Sequence, residues 1–202
     1  EPPLRAAAAT LPRPAAAGCS LEVALQGPEL RFSCVRLASD RGRGTRLLGE
    51  HYAVKVRLAL PADADGSAPD TSALRAAAQG ECSRWAESVL VPERGSPGCG
   101  AEVSIAGGQV AVAREDGASI MVPAQDCLLL PAQHVTPAAV AAALWERLAL
   151  SPAAEELCAA GAGWMEVCVA QAAGGEEVAF RRPLAAMRRP RCSGVAALAR
   201  DW

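Results

Sequence analysis

The sequence predicts an α+β fold: antiparallel β-sheet with two or three short helices, stabilised by disulfides. Apolar and polar residues alternate with period two in several runs, most clearly in "YAVKVRLAL" (52–60), the pattern of a strand with one wet face. Two helix-start signals, Thr136–Pro137 and Ser151–Pro152, place a capping hydroxyl directly before a proline, which needs no N–H in a first helical turn. Eight cysteines, Cys19, Cys34, Cys82, Cys99, Cys127, Cys158, Cys168 and Cys192, are scattered along the chain with no C-x-x-C pair. An even, dispersed set reads as a disulfide framework in an oxidising compartment rather than as a zinc site.

In chain order, residues 1–18 are rich in proline and alanine without period and read as a flexible lead-in. "LEVAL" and "ELRFSCVRL" alternate on either side of Gly27–Pro28, which reads as a hairpin whose ends bring Cys19 near Cys34. A polar loop (39–46) leads into the 52–60 strand. Thr71 or Ser72 caps a short helix through Gln79, with Gly80 as its stop. The loop "PERGSPGCG" (92–100) divides a β-rich part, 19–99, from a second part, 100–202, and the two read equally as one continuous domain. In the second part "AEVSI" and "QVAVA" flank Gly107–Gly108, a hairpin turn signal. "ASIMV" and a short buried "CLLL" follow. Val140, Leu144 and Leu148 form a helical stripe, a second helix runs to about Ala160, and "WMEVCVAQ" pairs with "EEVAFR" across Gly174–Gly175. The order from 100 to 181 is therefore β-β-β-β-α-α-β-β.

Charge and composition exclude several classes. A net charge of −2 and a pI near 5.8 imply neither nucleic acid nor an acidic membrane surface as partner. The chain has no asparagine, so N-glycosylation is excluded, and Lys55 is its one lysine. Heavy use of alanine, arginine, glycine and proline fits a GC-rich gene, so alanine runs carry little weight. No apolar run reaches the roughly 18 residues of a membrane span; residues 137–150 are interrupted by Glu146 and Arg147. A first residue of Glu1 reads as a mature chain, an ectodomain or a fragment, and the expected location is secreted or extracytoplasmic.

Catalytic patterns are sparse, and each has a simpler reading. Cys127 and His134 are the candidate nucleophile–base pair, but Cys127 lies in an apolar run and His134 in a loop before a helix. The paired acids Glu115–Asp116, Glu155–Glu156 and Glu176–Glu177 fall in turns or at a helix start, where the helix dipole accounts for Glu155 and Glu156. No phosphate-loop, nucleophile-elbow or zinc-protease motif occurs. "RRPLAAMRRPRCS" (181–193) reads as a solvated loop in preference to a basic binding strip or processing site. No catalytic, metal or cofactor residue is assigned, and no cofactor is expected.

The order of elements over 101–181 resembles the BRICHOS domain, through "VSIAGGQVAVAREDGASIMVPAQDCLLLP", "TPAAVAAALWERL" and "WMEVCVAQ". The family's aspartate on the second strand has no counterpart at Ala113–Arg114. The resemblance implies a Cys127–Cys168 disulfide and a chaperone-like, non-enzymatic binding domain. Its sheet would shield a β-prone client segment, with Val110, Val112, Ile120 and Val122 as the client-binding residues. The expected partner is thus a protein or peptide. The alternatives are a secreted or cell-surface recognition module, such as a viral-type decoy, and a secreted hydrolase.

Overall fold

The structure is a computed structural model that describes residues 20–40, 44–62, 66–93, 101–114, 119–172, 174–175 and 177–187. It contains β1 (Ser20–Leu25), β2 (Arg31–Asp40), β3 (Gly44–Pro61), α1 (Ser72–Trp85), β4 (Val89–Pro92), β5 (Ala101–Ala106), β6 (Gln109–Arg114), β7 (Ser119–Pro123), β8 (Cys127–Leu130), α2 (Pro137–Ala149), α3 (Pro152–Ala159), β9 (Trp164–Gln171) and β10 (Glu177–Pro183). The mixed α+β class and the three helices agree with the sequence pattern.

The 18-residue β3 organises the main sheet, whose order is β10-β9-β3-β2-β4-β8, with β1 also on β3. Along β10, β9, β3 and β2 each strand is antiparallel to the next, while β4 joins β2 and β8 joins β4 in parallel. The Gly27–Pro28 segment is not a hairpin turn. β1 and β2 lie end to end along one edge of β3, so that residues 26–30 stand opposite Val54 and Lys55. Leu30 N–H returns to Gly27 O (3.2 Å), and Val54 N–H donates to Leu30 O (2.8 Å), which rejoins the ladder after the extra residues.

All three helices share one face of this sheet. Period two on β3 turns Tyr52, Val54, Val56, Leu58 and Leu60 toward them, and β9 contributes Met165, Val167 and Val169 to the same core. α2 answers with Val140, Leu144, Trp145 and Leu148. Trp145 is fully buried, and its indole N–H donates to Met165 O at 2.8 Å, so the largest side chain of α2 is both packed and polar-satisfied. The caps form as the spacing predicts: Thr136 Oγ1 accepts from Ala139 N–H (3.2 Å) and Ser151 Oγ from Ala154 N–H (3.3 Å). α1, however, runs through Gly80 to Trp85 because Cys82 and Trp85 bury one turn further on. That apolar gain outweighs the roughly 1 kcal/mol helix cost of a glycine.

The opposite sheet face is covered over one half by the second, three-stranded antiparallel sheet β5-β6-β7. Gly107 and Gly108 form its first turn, both with positive φ (58° and 75°), as a tight two-residue hairpin requires. Val110 and Val112, with Val103 and Ile120, pack on Leu37, Val91 and Leu129 of the main sheet. Val122 stands opposite Val110 in the same ladder and is partly buried. The expected client strip Val110, Val112, Ile120 and Val122 is thus corrected. Its phase faces inward, and Val110 and Val112 are buried by the protein's own main sheet.

The disulfide expectation is also corrected. Cys34, Cys82, Cys127, Cys158 and Cys168 are free thiols; Cys19, Cys99 and Cys192 lie outside the described residues, as does any pairing through them. The Cys127–Cys168 bridge fails on topology. Cys127 is on β8 and Cys168 on β9, four strand steps apart in the sheet order. At strand spacing that is roughly 19 Å, against the ~7 Å limit for bridged Cα atoms. The secreted, disulfide-bonded character drawn from the cysteine pattern loses that support. Among the described residues no helix is long and apolar enough to cross a membrane.

Candidate functional site

Three strands each bring a polar residue into the helix-facing phase next to the core, and these three residues lie at the same end of the sheet. On β2 the helix-facing phase reads Phe32, Cys34, Arg36; on β3 it reads Glu50, Tyr52, Val54, Val56; on β9 it reads Met165, Val167, Val169, Gln171. Register makes them neighbours: Cys34 pairs with Glu50, Phe32 with Tyr52, and Tyr52 with Gln171. Arg36 Nε donates to Glu50 Oε1 at 2.7 Å, and Gln171 Nε2 donates to Glu50 Oε2 at 3.0 Å. Each carboxylate oxygen therefore has its own donor. A second Arg36 nitrogen reaches Val135 O at 3.3 Å, so the segment before α2 closes over the guanidinium. The Arg36 and Glu50 side chains keep 20% and 15% of their surface exposed, which makes this a half-sheltered ion pair at the rim of the core.

Two weak acids complete the cluster. Burial pushes the Cys34 thiol up to about 12; the Glu50 charge adds to this and Arg36 opposes it. Tyr52 is likewise raised to about 12, first by burial and then by Glu50. Both stay protonated at neutral pH. The cluster thus offers one carboxylate, one guanidinium, one amide, a phenol and a thiol. Such a set combines hydrogen-bond donors and acceptors with a carboxylate, the group types used in polar recognition and general acid–base chemistry.

The sequence candidates fall elsewhere. Cys127 turns toward the small sheet, and burial followed by the neighbouring Asp126 raises its thiol, so it is no thiolate nucleophile. His134 lies beside Val135 in the segment over Arg36. His51 faces the opposite side of the sheet, where its Nδ1 meets Ser33 Oγ at 2.6 Å. Glu155 lies in the first turn of α3, and Glu177 pairs with Lys55 at 3.5 Å; Glu115, Asp116 and Glu176 lie outside the described residues. Of the arginine-rich run, Arg181 Nε donates to Glu166 at 2.8 Å and its guanidinium stacks 3.9 Å over Trp164; residues 188–193 lie outside the described residues. Among the described residues no group of three or more His, Cys, Asp or Glu could hold a metal ion.

A small cleft between the start of α1 and α3, lined by Asp70, Leu74, Glu156 and Leu157, measures about 140 Å³. Its Asp70 carboxylate already accepts from Ser72 N–H (2.9 Å) and Ser72 O–H (2.7 Å), a helix-start role. The Glu50 cluster is therefore the stronger site, and composition and motif reasoning missed it. The signal available was the phase violation at Arg36, Glu50 and Gln171.

A mostly antiparallel sheet with α1, α2 and α3 packed on one face defines the class of fold. Solved structures of 6-pyruvoyltetrahydropterin synthase share that fold. The Plasmodium vivax enzyme matches with a TM-score of 0.72 and 19% identity, and two variants of it with a catalytic glutamate replaced by alanine or cysteine match at 0.73. The Plasmodium falciparum enzyme matches at 0.72 and 18%. Each comparison covers 82% of this chain and 99% of the synthase. No family model and no curated protein matches the chain. At this identity the likeness establishes the fold. It corrects the BRICHOS resemblance, which rested on element order and hydrophobic pattern and which no family model supports. The same likeness corrects the reading as a non-enzymatic chaperone-like or recognition domain, and its secreted-hydrolase alternative, since the solved proteins that match are synthases.

Proposed function

We propose that the chain is an enzyme of the 6-pyruvoyltetrahydropterin synthase kind, acting on a pterin with a carbon side chain at C6, with Glu50 as its proton-transferring carboxylate. The observation that carries this reading is the Arg36–Glu50–Gln171 cluster on a fold that matches those synthases over almost their whole length. Forming the pyruvoyl side chain for which those synthases are named requires protons to be taken from and returned to carbon, and a positioned carboxylate performs such transfers. In the Plasmodium vivax enzyme a glutamate is catalytic; Glu50 is this chain's candidate for such a role. Arg36 sets the direction of one carboxylate oxygen and Gln171 sets the other.

The test compares wild type with Glu50→Gln on a 6-substituted pterin. Turnover is expected to fall by about 10²–10⁴-fold, while pterin still binds and the melting temperature holds. No pterin binding by the wild-type chain, or equal turnover by the variant, defeats the reading.

A further inference from the structure

Tyr52 is 1% exposed, and its hydroxyl is the one buried side-chain polar atom among the described residues that has no hydrogen-bond partner. Buried hydroxyls are penalised unless paired, so an unpaired one requires a reason. The ring cannot easily turn away. It packs 5.4 Å from Phe32, which in turn lies 5.7 Å from the buried Trp85, and β2 and β9 hold its backbone on both sides.

The polar groups around it are engaged with one another: Arg36 with Glu50 and Val135 O, Gln171 with Glu50. The Gln171 amide acts weakly on the phenol, but no hydrogen bond of normal geometry reaches the oxygen. We propose that the Tyr52 hydroxyl is held for the ligand of the Glu50 cluster, donating a hydrogen bond to an uncharged acceptor, a ring nitrogen or carbonyl oxygen of a heterocycle. This rests on the reading of that cluster as a pterin site. An uncharged acceptor is favoured because Arg36 and Glu50 already balance each other's charge, so a second anion beside Glu50 would be repelled. The phenol, held protonated, supplies the donor.

Tyr52→Phe keeps the ring and removes only the oxygen. Full-length wild type and variant are titrated with pterin, followed by its fluorescence, and melted without ligand. The expected result is a Kd raised about tenfold in the variant, the value of one hydrogen bond at this scale, with a melting temperature equal to or above that of wild type. Equal affinity in the two proteins overturns the role of Tyr52 and leaves the pterin reading standing. A melting temperature several degrees lower in the variant also overturns it, because the hydroxyl then has a partner within the folded chain. Failure of wild type to bind pterin overturns both.

Discussion

The two faces of the main sheet solve the problem of buried charge in different ways. On the helix-covered face the charged residues stop at the end of the core, where Arg36, Glu50 and Gln171 form one closed set. On the bare half of the other face, Glu166 is 6% exposed and sits between two guanidiniums, Arg57 at 3.2 Å and Arg181 at 2.8 Å. That ladder runs straight across β3, β9 and β10 through the pairs Arg57–Glu166 and Glu166–Arg181, and the Trp164 ring supports Arg181 from below. The outer cluster has surplus cationic donors around one carboxylate and every visible role for it is structural. The inner cluster has a carboxylate with both oxygens oriented and a phenol left over. A saturated ion ladder stabilises a surface; a cluster with an unspent donor is equipped for a ligand.

Substitution of Trp145 should disturb this contrast most. Trp145→Ala removes the inner face's main packing unit together with its hydrogen bond to Met165 O. It should cost about 3–5 kcal/mol, read by urea denaturation; a loss below about 1 kcal/mol would mean that α2 does not carry the inner core.

Glu166→Gln tests the outer ladder. Burial works to raise the Glu166 pKa, but hydrogen bonds from Arg181 and Arg57 override it, and the folded value lies below the usual 4.5. A depressed folded pKa means that this stabilisation is complete at neutral pH and is lost as pH falls from 4.5 through the folded value. Because both guanidiniums are nearly half exposed, solvent screening leaves about 1 kcal/mol. Wild type should therefore lose its advantage over the variant in melts between neutral pH and about pH 3, and a constant gap across that range contradicts the ladder.

The smallest effect lies on neither face. Gly80 sits inside α1, and a Cβ there would meet nothing within 4 Å. Gly80→Ala should therefore stabilise the protein by about 0.5–1 kcal/mol, seen as a modest rise in melting temperature. A fall would show that the helix does end where the glycine first implies.

Much of the local structure was legible in the chain. "WMEVCVAQ", "CLLL", the Gly107–Gly108 hairpin and the Thr136–Pro137 cap all occur where pattern and capping chemistry put them. Misreadings arose where a local signal competed with a distant one. Gly80 reads as a stop until Trp85 is known to be buried, and the turn at Gly27–Pro28 reads as a hairpin until β3 is seen to be long enough to pair with both β1 and β2. The site was half legible: Arg36, Glu50 and Gln171 each break an apolar phase in their own strand, but a lone violation is easily taken for a strand end.

Periodicity settles which side chains share a face, because a strand alternates by steric necessity. It does not settle which strand lies beside which, since an apolar edge accepts many partners. That choice was left to tertiary packing. It separated Cys127 from Cys168 by three intervening strands, turned Val110 and Val112 inward, and brought Glu50, 121 residues from Gln171 in sequence, within hydrogen-bond distance of its amide.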